Sequence, residues 1–332
     1  MRITNSMLVS NYMNNMQRNL NNMSTVQNQL SSGKIISRPS ENPYVAVRNM
    51  QLNNEISANK QYNTNITDTS NWLDTTDTAL SQAVNIMSRI KELTVKAGNG
   101  SYSEDEFTAI KDEIVEKVKE FGQVLNTSFD GDYIFGGTKS NSKPINVDDD
   151  GNITYIDKNG NVLDANTDPD GTILSQIGAG LKTEISDGVV VQYNKTAVDV
   201  LNYTDSKGNK TEVQSTLSSL IKNLTVLSDK NADEADKKDA LNIISEKLTD
   251  DITAVASHIS QLRSNVGAMQ NRMETAKTNN EDQTYNMTSI LSETEDIDFA
   301  EKTMEYSILQ TVYIATLQTS SKVLQNTLLD YV

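Results

Sequence analysis

Asn166, Asp168, Asp170 and Gly171 are the residues whose types and spacing come nearest to a known chemistry. They fall at positions 1, 3, 5 and 6 of a calcium loop, where oxygen ligands precede a glycine at the sharp turn. Position 12, where such a loop needs a bidentate Glu, is Ile177. Without that ligand a plain Asp-rich turn around Pro169 is the better reading, and Asp148-Asp149-Asp150-Gly151 reads the same way. Other chemistry is scarcer still. The one histidine, His258, lies beside an apolar helix seam, and there is no cysteine. A thiol nucleophile, a disulfide framework and a transition-metal site therefore lack their residues. Gly136-Gly137 lacks the spacing of a phosphate loop, and Gly178-Ala179-Gly180 lacks its strand–helix context. The sequence predicts no enzyme, no metal and no cofactor.

The interest shifts to the elements that would position these residues. The chain has 332 residues, a net charge of −16, 36% hydrophobic and 5% aromatic residues. So little apolar content suits thin helix-on-helix packing better than a thick core. The acidic balance argues against nucleic acid as a partner, since phosphate binding needs a basic face. The ends differ in sign: residues 1–50 carry five basic residues against Glu41 alone, and residues 283–332 carry two against seven acidic ones. Such ends can lie side by side. Apolar residues near Met1 are interrupted by Asn and Ser, and no long apolar run follows, so neither a cleaved signal nor membrane insertion is expected.

Met13, Met16, Leu20, Met23, Gln27 and Leu30 recur at alternating gaps of three and four, as do Ile314, Leu317, Ser321, Leu324, Leu328 and Tyr331. Each is a narrow helical stripe that needs a partner, because a lone helix of this kind is marginal in water. A second heptad register runs through Leu52, Ile56, Ile66, Leu73, Leu80, Val84 and Met87, and Gly98-Asn99-Gly100 ends it. Ser103 with Glu106 predicts a capping box opening a helix to about Asn126. The longest seam runs from Leu241 through Ile244, Leu248, Ile252, Val255, Ile259, Leu262, Val266, Met269 and Met273 to Ala276. Two successive gaps of four, at Leu248, mark a phase shift in it. Between the helical stretches, residues 138–211 are rich in Asp, Asn, Gly and Thr. Ile153–Ile156 and Val162-Leu163 flank Asn159-Gly160 and predict a hairpin, with a further strand at 188–193.

Three segments carry a resemblance. The opening MRITNSML, the joint Leu30-Ser31-Ser32-Gly33-Lys34 with Arg38-Pro39-Ser40-Glu41-Asn42-Pro43, and Ser289–Ala300 with the closing helix are similar to the bacterial flagellin family. Gly131-Asp132-Tyr133-Ile134-Phe135-Gly136-Gly137 and the ending Leu328–Val332 resemble the members that join hook to filament more than the bulk filament subunit. The resemblance implies a mainly α fold with a β-rich insert: an elongated rod of long antiparallel coiled-coil helices formed by both chain ends. It divides the chain into a tail helix at 1–39 pairing with 297–332, rod halves at 40–137 and 212–296, and a small β domain inserted at 138–211. It also implies an extracellular, self-assembling adaptor, with the bulk filament subunit as the alternative. The implied partners are further copies of the chain, hook-associated protein 1, flagellin and a flagellar export chaperone. The expected assembly interface is Met13, Met16, Leu20, Met23, Leu30, Ile314, Leu317, Leu324, Leu328 and Tyr331. Gly33 would end the first helix, Pro39 and Pro43 would keep the joint extended, and Arg38 would make a charged contact.

Overall fold

A computed structural model describes residues 5–323 apart from 101, 165–167 and 205–209. In chain order the elements are α1 (Asn5–Ser32), α2 (Pro43–Gly98), α3 (Glu104–Leu125), β1 (Ser128–Phe129), β2 (Asp132–Tyr133), β3 (Ile145–Val147), β4 (Ile153–Tyr155) and α4 (Thr172–Ile177). They continue with β5 (Lys182–Ser186), β6 (Val189–Gln192), α5 (Ala197–Leu201), β7 (Asn202–Thr204), β8 (Lys210–Glu212), α6 (Val213–Ser228), α7 (Glu234–Asn242), a π turn (Ile243–Leu248), α8 (Thr249–Glu295) and α9 (Phe299–Val323). The protein is thus mainly helical, with long helices from both ends and small antiparallel sheets in the middle. The chain divides into two compact units, residues 61–280, and residues 1–60 with 281–332.

In the 61–280 unit the expected seams are the core. Ile66, Leu73, Leu80 and Met87 of α2 are buried, as are Leu248, Ile252, Val255, Ile259, Leu262, Val266 and Met273 on the returning strand of helix. Polar contacts lace the two helices antiparallel: Arg263 Nε donates to Asp77 Oδ1 at 2.9 Å, and Gln270 Nε2 to Asp74 Oδ1 at 2.7 Å. Helix α3 adds Ile114, Val118, Phe121 and Leu125, and α6 adds Leu217, Leu220 and Leu224. The capping box forms at the start of α3, where Glu106 accepts from the Ser103 amide at 2.7 Å.

The phase shift in the seam is the π turn. The backbone amide of Thr249 reaches the carbonyl of Ile244, an i to i−5 bond that takes up one extra residue. A one-residue skip in a regular helix would rotate the stripe away from the core; here Ile244 and Leu248 stay buried on the same side as Ile252. The C-terminal turn of α2 lies against this bulge, with a Cβ at Gly98 only 3.3 Å from the Ser245 backbone.

Among the described residues, four two-stranded antiparallel sheets decorate this unit: β1–β2, β3–β4, β5–β6 and β7–β8. The expected hairpin forms in short form: the Asp157 amide donates to the Asn161 carbonyl at 2.9 Å and the Leu163 amide to the Tyr155 carbonyl at 2.8 Å, on either side of an Ile156↔Val162 bridge. The opposite edge of β4 pairs with β3 in the register Ile145↔Tyr155 and Val147↔Ile153, a partner not expected from the sequence. Both sides of β4 carry an Asp-x-(Asp/Asn)-Gly-Asn turn. The β3 side is the better packed: Ile145 is wholly buried whereas Val162 is exposed. The turns explain the acidic run. Asp148 Oδ1 accepts from the Asn152 amide at 2.7 Å, and Asp157 Oδ1 from that of Asn161 at 2.8 Å. Asp168 spends both oxygens on the Ile173 and Leu174 amides at the start of α4. Asn166 lies outside the described residues.

The Gly131–Gly137 motif is also turn chemistry. Asp130 and Gly131, at φ 53° and 91°, connect β1 to β2, as the two central residues of a type I′ turn require. Phe129 and Tyr193 meet Trp72 edge-on at 6.2 and 5.9 Å. Tyr133 is half-buried, Phe135 is wholly buried, and its carbonyl accepts from the Ala197 amide at 2.8 Å. Gly136 and Gly137 then pass so close to neighbouring carbonyls that neither position has room for a Cβ.

Candidate assembly interface and paired joint

In the other unit α1 and α9 run antiparallel. The face of α1 turned to α9 carries Tyr12, Met16, Asn19, Leu20, Met23, Val26 and Leu30, all buried or half-buried. The opposing face carries Tyr306, Leu309, Tyr313 and Thr316. The Tyr12 hydroxyl donates to the Thr316 carbonyl, and Asn19 Nδ2 to the Leu309 carbonyl at 3.3 Å. Four of the expected α1 residues, Met16, Leu20, Met23 and Leu30, lie on this contact. Met13, Ile314 and Leu317 stand exposed on the single chain. Leu324, Leu328 and Tyr331 lie outside the described residues. Tyr12 and Val26 occupy seam positions that the Met13 and Gln27 register passes by one residue.

Long stretches of these helices carry no charge. Arg18 is the only charged residue between Asn5 and Gly33, and there is none from Tyr306 to Ser321. Away from α1, Met304, Ile308 and Val312 form an exposed apolar row at spacings of four. A helix apolar on more than one side is built to be covered on more than one side.

The opposite charges of the ends meet at one place, where both helical breaks face each other. Gly33, at φ 72°, closes α1 as its amide donates to the Gln29 carbonyl at 2.8 Å. Its carbonyl accepts from Ile297 at 3.1 Å, and the Ile35 amide donates to the Glu295 carbonyl at 2.7 Å. Between these two bonds Lys34 Nζ reaches Glu295 Oε1 at 2.9 Å and Asp296 Oδ1 at 3.4 Å. Asp298 Oδ1 caps α9 through the Ala300 amide at 2.8 Å. The stretch 35–42 is turned rather than extended: the Glu41 amide bonds the Arg38 carbonyl at 3.0 Å. Pro39 sits at the second position of that turn and Pro43 opens α2. A fixed φ near −65° suits both sites as well as it suits an extended chain. Among the described residues Arg38 makes no ion pair.

The hydrogen bond to Glu295 raises the Lys34 amine above its ordinary value. The Ser292 hydroxyl, then Lys34, hold the Asp296 carboxyl below its own. Asp296 therefore contributes stability above the ordinary carboxylate range, lost as pH falls through its depressed value; Lys34 contributes below the ordinary lysine range, lost as pH rises through its raised value. Amide-exchange protection at Ile35 and Ile297, corrected for intrinsic rates, is expected to hold across neutral pH and drop below about pH 4. Asp296→Asn should flatten that acid loss; an unchanged acid profile would remove Asp296 from the joint's energetics.

His258, read as a helix flank, ties α5 to α8: its Nε2 lies 2.8 Å from the Asp199 carbonyl. No group of three His, Cys, Asp or Glu side chains is placed to hold a metal among the described residues, and none of their helices is long and apolar enough to cross a membrane.

Residues 3–140 match the family model of the bacterial flagellin N-terminal helical region, and residues 249–332 that of the C-terminal helical region. Flagellin of Bacillus subtilis is 26% identical over 315 residues, 92% of this chain and 91% of the relative. Against two further filament proteins the match spans only 37% and 32% of the relative's own length. Among solved structures, flagellar hook-associated protein 3 of Legionella pneumophila covers 74% of this chain at a TM-score of 0.59 and 16% identity, with 98% of that structure matched. The flagellar junction protein FlgL of the same organism covers 76% at a TM-score of 0.55 and 17% identity, all of that structure being matched. The fold is shared with those structures, and, with both of its helical regions matched over more than half of the sequence, the chain belongs to the bacterial flagellin family.

Proposed function

We propose that the chain is a non-enzymatic structural subunit of the flagellum that joins hook to filament, adding to hook-associated protein 1 on one side and receiving flagellin on the other. The observation that carries this is the pairing of α1 with α9, uncharged from Tyr306 to Ser321, with a second apolar row that has no cover within one chain. Such surfaces are completed by neighbouring copies in a closed layer. The domain divisions expected from the sequence follow the same plan, with the 138–211 segment carried on the outside. Export through the flagellar channel, with a chaperone holding the tails, fits ends that only an assembly can cover. The shared fold with hook-associated protein 3 favours the junction role. The full-length match to a flagellin favours the bulk filament subunit as the second reading.

Seeded assembly separates them. Purified chain is added to isolated hooks carrying hook-associated protein 1, and the ends are imaged by electron microscopy. A short collar that stops growing, yet is extended by added flagellin, is expected. Long filaments of this chain alone would establish the second reading.

A further inference from the structure

The start of α2 presents an exposed face. Tyr44 and Val47 are 76% and 55% exposed. Arg48 lies one helical turn after Tyr44, and Arg38 stands in the turn before α2. Neither arginine has an ion-pair partner among the described residues, whereas Lys34 beside them has two. Exposed apolar area flanked by unpaired arginines is the composition of an interface rather than of ordinary surface.

The 61–280 unit carries the complementary feature. A cleft of about 500 Å³ opens between α2, the β1–β2 turn and β5. Asp68, Asp130 and Asp132 line it against one cation, Lys182, and none of the three carboxylates forms an ion pair among the described residues. Phe129 and Tyr193 supply apolar walls. Trp72 also lines the cleft and is 9% exposed, and its indole N–H is buried with no hydrogen-bond partner. The cleft therefore wants a cation and an apolar body together. A free metal ion or a simple amine supplies only the first.

We propose that the Tyr44–Arg48 face of one copy seats in the Asp68–Asp130–Asp132 cleft of a second copy. The guanidinium of Arg48 faces the carboxylates, and Val47 and the Tyr44 ring face Phe129 and Tyr193. Two different patches on one chain make a heterologous contact, which propagates around a ring or along a helix. This inference rests on the self-assembling role above and names the surfaces that build the layer.

The absence of cysteine makes the test direct. Arg48→Cys and Asp68→Cys are made separately; both sites are exposed helix positions, and thermal unfolding checks the fold of each. The two variants are mixed, assembled on seeded hooks and oxidised. Covalent dimers are expected in the assembled mixture, and neither in either variant alone nor in unassembled chains. In parallel, Arg48→Glu and Asp68→Arg should each lower assembly about tenfold, and the double variant should recover most of it. Charge reversals that both assemble as well as the wild-type chain, or a mixture of the two cysteine variants that assembles without forming covalent dimers, would overturn the inference. Wild-type chain that fails to assemble at all would overturn the self-assembling role itself, and this contact with it.

Discussion

Replacing Gly137 by alanine is expected to destabilise the 61–280 unit by about 3 kcal/mol, the combined cost of a left-handed alanine and an overpacked contact. Gly137 has φ 61°, and a Cβ there would lie 2.4 Å from both the Gln176 and Ile177 carbonyl oxygens. Those atoms are the last backbone acceptors of α4, and the next residue uses them: the Thr138 amide and hydroxyl both donate to Gln176 O, at 3.0 and 3.1 Å. The chain must pass close for these bonds to form, and backbone cannot step aside as a flexible side chain can. Gly131→Ala is the control. It too has positive φ, at 91°, but a Cβ there meets nothing within 4 Å. It should cost only the conformational share, about 1 kcal/mol. Equilibrium urea unfolding of both variants decides it. Equal losses at the two sites would mean that left-handed backbone alone, and not close approach to α4, keeps Gly137 a glycine.

Much of this fold is legible in the sequence, and what is not follows a pattern. Leu248, Ile252, Val255 and Ile259 announce their seam because burial selects one helical period. The doubled gap of four marks a phase shift, and the π turn is how the helix takes it up without rotating the stripe off the core. The second partner of β4 is not legible. Asn159-Gly160 marks the turn to Val162, but the pairing with β3 across the Asp148 turn rests on the burial of Ile145, which no local period announces. On α1 the stripe is offset at Tyr12 and Val26, because Met13 and Gln27 satisfy the same alternation and the sequence cannot say which side faces α9. The joint is half legible. Gly33, Pro39 and Pro43 mark a break, but proline's single φ fits a turn and an extended chain alike. The pairing of Gly33, Lys34 and Ile35 with Glu295, Asp296 and Ile297 joins residues far apart in sequence, and no local period encodes it. Only the opposite charges of the two ends hint at it.

The double substitution Gly33→Ala with Pro39→Ala is expected to abolish seeded assembly while leaving the unfolding of the 61–280 unit unchanged. Both residues lie outside that unit. Alanine at Gly33 either keeps φ 72° at a cost of about 1–2 kcal/mol or turns right-handed and lets α1 continue. Continuation moves the Gly33 carbonyl away from Ile297 and the Ile35 amide away from Glu295, so both backbone bonds of the bridge are lost together with the Lys34 contacts. Pro39→Ala removes the preset φ of the turn that would otherwise resist this, and it widens the freedom of the unfolded joint. Losing the bridge frees α1 and α9 from their shared anchor, so the uncovered row of α9 is no longer held in register with α1. A loss of about 2 kcal/mol at each contact already lowers each equilibrium by about thirtyfold, and a closed layer compounds that over every copy. Sedimentation of seeded assemblies measures the yield, and scanning calorimetry measures the folded unit. Pro39→Ala alone should assemble with only modest loss, because Gly33 still ends α1. A double variant that builds collars at the wild-type rate would show that the two breaks act independently, and that the bridge between Gly33 and Ile297 is a consequence of assembly geometry and not its determinant.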